Sequence, residues 1–169
     1  MTAPGSRLDL VDRILSRNLS WVAAADTKIA PVLAIDTAML GVLAALAPVG
    51  FQWTAVQAGV AAVAGVLLLA SLGCLASAVF PRLDGPKSSP VFFGGIAQYD
   101  RDAYVESVSC GESDELIKDF GRQCHRNAEI ALTKFWFIRW SMVLLFASIV
   151  PWLVSVALLY SSRTLPGCA

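Results

Sequence analysis

Two arginines are the first candidates for a ligand-binding role. Arg122 and Arg126 stand four apart in a stretch with helical character, so both guanidinium groups point the same way. Phe93, Gly94 and Tyr99 add aromatic faces and a flexible backbone to the same part of the chain. A small anionic ligand needs that pairing of guanidinium groups with a stacking surface. Ligand binding is therefore one hypothesis for this stretch, and solvated helix charges or a basic edge facing lipid are the alternatives.

A second candidate is Asp36, an acid that interrupts an apolar run. A charge deep in a membrane span costs about 2.5–3.5 kcal/mol on insertion scales, so it usually faces a bundle interior or a watery path. Asp36 lies seven residues past Ile29, about 10 Å along a helix, and Arg139 or Lys28 could reach toward it. We consider a membrane gate involving Asp36 and Arg139. The alternatives are a static interhelical pair or a neutral carboxyl bonded to a backbone carbonyl.

Other chemistry is disfavoured. His125 is the one histidine, and its neighbour Cys124 faces a different direction on a helix, which argues against a metal pair. The four cysteines contain no Cys-x-x-Cys spacing, so no zinc or redox motif is indicated. Thirteen basic and thirteen acidic residues balance to zero net charge, which leaves no electrostatic footprint for nucleic acid. We predict no catalytic residue, no metal site, no cofactor and no enzymatic activity.

The composition of the chain indicates that these residues are carried by membrane helices. The chain is 56% hydrophobic and 15% charged, against about 25% charged in ordinary soluble domains, and its mean hydropathy is +0.63. A bilayer core of roughly 30 Å needs about 20 apolar helical residues. Three clusters meet that length, at 29–48, 54–80 and 135–160. We predict an all-α membrane protein with three transmembrane helices.

The remaining segments face water. Residues 1–28 contain an amphipathic helix, which could lie on the membrane surface or pack on the middle of the chain. Residues 81–134 form a small helical segment between the second and third spans, and 161–169 form a tail. Most basic residues precede the first span or lie in 81–134: Arg7, Arg13, Arg17, Lys28, Arg82, Lys87, Arg101, Lys118, Arg122, Arg126 and Lys134. The predicted orientation is therefore a cytosolic amino terminus, a cytosolic 81–134 segment and an external carboxyl terminus.

Several short motifs, in order along the chain, resemble the Pycsar membrane effectors. They are Asn18-Leu19-Ser20-Trp21 with Ala25-Asp26-Thr27-Lys28, then Phe80-Pro81-Arg82, then Val91-Phe92-Phe93-Gly94-Gly95-Ile96-Ala97, then Arg122-Gln123 leading through Ala128 to Lys134-Phe135. Together they extend over nearly the whole chain, about residues 8–159. Each motif is short, but their ordered combination is fairly specific.

The resemblance implies a bacterial antiphage role at the inner membrane. In that family a neighbouring pyrimidine cyclase makes cyclic UMP or cyclic CMP, and the nucleotide activates an effector that impairs the membrane and halts the infected cell. It implies a nucleotide site, and we expect Phe93, Gly94, Tyr99, Arg122 and Arg126 to line it, with the motif residues Asn18 and Asp26 as further candidates. The alternative is a small structural or regulatory membrane subunit without gating activity.

A homo-oligomer is also expected. Small residues recur four apart in the first two spans: Gly41 with Ala45, Ala61 with Gly65, and Gly73 with Ser77. Such spacing lets helices approach closely in lipid, either within one subunit or between subunits. We favour an oligomer because three transmembrane helices alone form only a small bundle.

Overall fold

The computed structural model describes residues 4–48, 53–80, 89–110 and 113–164, and every regular element within these ranges is an α-helix. The helices are α1 (Pro4–Asp26), α2 (Ile29–Leu46), α3 (Ala55–Val79), α4 (Phe93–Ile96), α5 (Arg101–Cys110) and α6 (Ser113–Thr164). Three helical stretches among the described residues are long and apolar enough to cross a membrane: Arg7–Leu46, Ala55–Val79 and Asp114–Arg163. The predicted all-α membrane fold is confirmed.

The longest element is α6, a single helix of 52 residues. The sequence has no proline between Ser113 and Pro151, and the structure continues the helix through Pro151 as well. Asp114 and Glu115 lie in its first turn and Arg163 in its last, which suits the helix dipole at both ends. The third membrane-crossing helix therefore starts well before residue 135, where the apolar run begins.

The chain forms two compact units. The first contains residues 1–25 and 80–134, and the second contains residues 26–79 and 135–169. The second unit holds α2, α3 and the later part of α6, and the first holds most of α1, the short helices α4 and α5, and the earlier part of α6.

In the second unit each helix buries one seam of residues spaced three and four apart. Along α3 this seam contains Gln57, Ala64, Leu68, Ser71, Leu75 and Ala78. Along α6 it contains Ile138, Ser141, Leu145, Ser148, Ser155 and Leu159. Alternating steps of three and four are the pattern of helices that pack side by side with a small crossing angle. Serine at every seventh position of α6 lets the helices approach closely inside the membrane.

Polar contacts join the ends of these helices. Thr54 and Gln57 form a reciprocal capping box. The backbone N–H of Gln57 donates to Thr54 Oγ1 over 3.2 Å, and the backbone N–H of Thr54 donates to Gln57 Oε1 over 3.1 Å. The Gln57 side-chain amide also donates to the Leu158 carbonyl of α6 over 3.4 Å. Arg163 donates to the Ala45 carbonyl over 2.9 Å, which satisfies an acceptor left open at the end of α2.

In the first unit α1 contacts α6, which is one of the two placements that the sequence left open. The Asn18 side-chain amide donates to the Cys124 carbonyl over 3.0 Å, and the Cys124 thiol donates to the Val11 carbonyl over 3.8 Å. Asp100 caps α5, since its carboxylate accepts from the Asp102 N–H over 3.3 Å. Parts of the predicted 81–134 segment and of the 161–169 tail, namely 81–88, 111–112 and 165–169, lie outside the described residues.

Candidate functional sites

A buried serine connects the segment before α4 to α6 in the first unit. Ser89 is 2% exposed, and its hydroxyl donates to the Asp119 carboxylate over 2.5 Å. The same oxygen accepts from the Phe92 N–H over 2.9 Å, from the Val91 N–H over 3.2 Å and from the Gln123 side-chain amide over 3.3 Å. Asp119 and Gln123 are four apart and both buried, so they lie on one face of α6. This dry polar cluster holds the chain around Phe92 against that face.

The segment held by Ser89 carries the predicted aromatic and glycine residues. Phe93 opens α4 and is 62% exposed, with its ring centroid 4.6 Å from that of Phe92. A Cβ atom at Gly94 would lie 2.6 Å from the Phe92 ring, so only glycine fits there without moving that ring. The Tyr99 ring lies 6.1 Å from the ring of Tyr104, whose hydroxyl donates to the Pro90 carbonyl over 3.3 Å. Phe93 therefore presents an open aromatic face on a rigidly held turn.

The two arginines that the sequence grouped together have different surroundings. Arg126 is paired with Glu129, its Nη1 lying 3.1 Å from Oε2. Arg122 is exposed and makes no ion pair or hydrogen bond with the residues that the structure describes. It adjoins Gln123, which anchors Ser89. Among the described residues Arg122 is thus an exposed cation without a partner, whereas Arg126 would first have to leave Glu129.

The two motif residues near the amino terminus lie elsewhere. Asn18 is 5% exposed, and its amide already bonds the Cys124 carbonyl, so its observed role is to join α1 to α6. Asp26 is exposed at the end of α1 and belongs to the second unit, whereas Asn18 and the aromatic and arginine candidates belong to the first.

Asp36 sits at the centre of the second unit and is fully buried. The Ser71 hydroxyl of α3 lies 2.7 Å from Asp36 Oδ2 and 2.9 Å from the Ser141 hydroxyl of α6. Each hydroxyl has one proton to donate, so the contacts fit a chain of hydrogen bonds in which Ser141 donates to Ser71 and Ser71 donates to Asp36. The second carboxyl oxygen, Oδ1, is buried without a hydrogen-bond partner among the described residues. One carboxyl therefore links α2, α3 and α6 with half of its hydrogen-bonding capacity unused.

The expected approach of Arg139 or Lys28 to Asp36 does not occur among the described residues; the carboxyl bonds Ser71 instead. Arg139 precedes the seam residue Ser141 by two positions, about 200° around the helix, so it faces outward. It lines a surface groove together with Lys28, whose ammonium lies 5.3 Å above the Phe135 ring.

The sequence reading missed the polar residues that organise both sites. Ser89, Asp119 and Gln123 in the first unit, and Ser71 and Ser141 in the second, are all buried. A seven-residue repeat of serine at 141, 148 and 155 was available as a signal for a polar seam, as was the four-residue spacing of Asp119 and Gln123.

Comparison with known proteins places this architecture in one family. A model of the Pycsar effector protein domain matches residues 10–161, which is most of the chain. The Pycsar effector protein PtPycTM of Propioniciclava tarda is 30% identical over 131 residues, or 72% of this chain. The matched region spans 65% of the length of that relative. No solved structure matches the chain. The chain has three membrane-crossing helices, and the family model extends over nearly all of their residues. The chain therefore belongs to the Pycsar transmembrane effector family.

Proposed function

We propose that this protein is a membrane effector of a bacterial antiphage system, gated by a cyclic pyrimidine nucleotide. A partner cyclase makes cyclic UMP or cyclic CMP on infection, the nucleotide binds the first unit, and the second unit then impairs the inner membrane. The observation that carries the proposal is family membership combined with α6, one helix that contains a membrane-crossing segment and Arg122, a cation without a partner among the described residues.

The nucleotide site that the geometry favours lies at α4 and the adjoining face of α6. A cyclic nucleotide offers one negative phosphate and one planar base. Arg122, which has no partner among the described residues, supplies a guanidinium for the phosphate, and the exposed Phe93 ring supplies a stacking surface for the base. Gly94 follows Phe93 in the same turn, and Tyr99 and Arg126 complete the proposed lining. Asn18 and Asp26 are the outer candidates: Asn18 would have to release Cys124, and Asp26 would have to act from the second unit.

The physical link between binding and the membrane is α6 itself. From Arg122 to Ser141 the helix rises about 28 Å at 1.5 Å per residue, without an interruption of helical structure. A nucleotide that binds one arrangement of α6 better than another shifts the population toward that arrangement, and its differential affinity sets the size of the shift. A rotation or tilt of α6 would displace Ser141 from Ser71.

The proposed role of Asp36 follows from its unused oxygen. A buried polar atom without a partner raises the free energy of the closed bundle. Any arrangement that admits water to Oδ1 removes that cost, so Asp36 favours opening while the chain from Ser141 through Ser71 opposes it. Arg139 would contribute to gating from the outward face of α6 rather than as the partner of the carboxyl.

The proposal also fixes an orientation and an assembly. The amino terminus and residues 81–134 face the cytosol, where the messenger is made, and the carboxyl terminus lies outside. A tag fused after Ala169 should be accessible only from outside intact spheroplasts; cytosolic accessibility would contradict this orientation. A homo-oligomer is supported by Gly41, Gly65 and Gly73, because a Cβ atom at each would meet nothing within 4 Å inside the described part of the subunit.

The test is nucleotide binding by the purified full chain in detergent, measured by calorimetry. Arg122→Ala should weaken cyclic UMP or cyclic CMP binding about 10–100-fold, since a hydrogen bond to a charged group contributes about 1.5–3 kcal/mol. Arg101→Ala removes an exposed arginine from α5 of the same unit and is the matched control. Equal affinity for wild type and Arg122→Ala would remove the proposed site. Absence of binding by the wild type to either nucleotide would favour the non-gating membrane subunit.

A further inference from the structure

An apolar groove runs along the outer surface of the second unit. Its first part has a volume of about 300 Å³ and is walled by Phe135, Met142, Val143 and Phe146 of α6, with Lys28 and Arg139 at one end. A second part of about 220 Å³ shares Met142 and Phe146 and continues between α2 and α6 as far as Met39 and Ile149. Because the two parts share Met142 and Phe146, they adjoin along α6, and we refer to them together as the groove.

The groove is longer than one leaflet of the bilayer core. From Phe135 to Ile149 is fourteen residues of α6, about 21 Å at 1.5 Å per residue. Half of a bilayer core of roughly 30 Å is about 15 Å. An acyl chain that enters at the Lys28 end can therefore remain in the groove through its whole leaflet.

The two cations at the end of the groove have no counter-ion in the described part of the chain. Arg139 makes no ion pair there, and the Lys28 ammonium lies over the face of the Phe135 ring. Asp36 is the one acid within 29–80 and 135–164, and it is fully buried against Ser71; Asp26, the other acid of the second unit, precedes these ranges. A helix of a second copy drawn from these ranges would therefore bring apolar side chains to the groove and no exposed carboxylate to the two cations.

We propose that this groove binds an anionic phospholipid, with one acyl chain along α6 and the phosphate held by Lys28 and Arg139. Arginine can hold two phosphate oxygens at once, and lysine adds a compact point charge. The apolar walls suit an acyl chain and offer no hydrogen bonds to the base or sugar of a free nucleotide. The proposal is independent of nucleotide gating, since it concerns only the second unit.

The test is native mass spectrometry of the full chain released from nanodiscs that contain equal amounts of phosphatidylglycerol and phosphatidylcholine with identical acyl chains. The wild type should retain phosphatidylglycerol at least tenfold more often than phosphatidylcholine. Lys28→Gln combined with Arg139→Gln should abolish this preference. Equal retention of both lipids by the wild type, or an undiminished preference in the double variant, would overturn the proposal.

A second pair of variants tests the acyl-chain part without changing charge. Val143→Trp fills the groove, whereas Val150→Trp places the same side chain seven residues further along α6, outside either part of the groove. Both valines are exposed, at 47% and 69%, so both variants should insert and fold. Val143→Trp should reduce retained phosphatidylglycerol at least fivefold and Val150→Trp should not. Unchanged lipid with a lowered oligomeric state in Val143→Trp would assign the groove to a second copy instead.

Discussion

Replacing Ser89 by alanine is expected to release the α4 segment from α6. Ser89 donates to the buried Asp119 carboxylate over 2.5 Å and accepts from the backbone of Phe92 over 2.9 Å. A hydrogen bond to a charged group contributes about 1.5–3 kcal/mol and a neutral one about 1 kcal/mol. Their joint loss should lower the free energy of local opening by about 3 kcal/mol, which corresponds to a factor of about 160 in the opening equilibrium.

Hydrogen exchange measures that opening directly. The amides of Gly95, Ile96 and Ala97 bond the carbonyls of Phe92 and Phe93, so they report on the turn that Ser89 holds. In Ser89→Ala they should exchange about 100–200-fold faster than in the wild type.

The matched control is Ser107→Ala, because the Ser107 hydroxyl bonds only the Tyr104 carbonyl of its own helix. This control should leave the three amides unchanged, and neither variant should alter exchange around Ser141 in the second unit. An acceleration below about threefold in Ser89→Ala, or an equal acceleration in Ser107→Ala, would refute the assignment of Ser89 as the anchor.

Three further predictions concern other contacts. Asp36→Asn keeps an acceptor for Ser71 but removes the carboxylate, so nucleotide-dependent dye entry into cells should change while calorimetric affinity stays the same; unaltered dye entry would assign Asp36 a static role. Burial raises the pKa of the Cys124 thiol. At pH 8 a maleimide should therefore label Cys124 more slowly than an engineered Ser109→Cys thiol in a cysteine-free background, and the labelling rate of Cys124 should keep rising at higher pH. Equal labelling rates would contradict this prediction. Trp152→Phe removes a 2.9 Å bond to the Met39 carbonyl and should lower stability in detergent by about 0.6–1.7 kcal/mol, as measured by thermal unfolding; no change would show that the bond is not formed in detergent.

The fold was predictable because a segment that crosses the hydrocarbon core must be long enough to span it and must satisfy its own backbone hydrogen bonds. Few structures other than an apolar helix meet both conditions. A run such as 54–80 is too long and too apolar for anything but a crossing helix, and α3 occupies Ala55–Val79 within it. The capping role of Asp100 was likewise local, and the structure shows it. Helix α6 extends this reasoning, since nothing between Ser113 and the apolar run interrupts it.

The organisation of the sites was not predictable in the same way. Ser89 and Asp119 are thirty positions apart, and no local rule relates a serine in a turn to a carboxylate on a helix. Asp36 was recognisable as unusual, but its partner depended on helix rotation. Ser71 and Ser141 lie on the seams of their helices, whereas Arg139 lies on the outward side of α6. Sequence spacing identifies which residues share a face, and tertiary packing decides which faces meet.

Under the proposed function, binding of a cyclic pyrimidine nucleotide causes this membrane protein to impair the inner membrane. The direct measurement is membrane potential in bacteria that express the protein together with an active pyrimidine cyclase, compared with a catalytically inactive cyclase. Depolarisation within minutes of cyclase induction, absent with the inactive cyclase and weakened by Arg122→Ala, is the predicted result. Cells that accumulate abundant cyclic UMP or cyclic CMP and keep a normal potential would contradict the account.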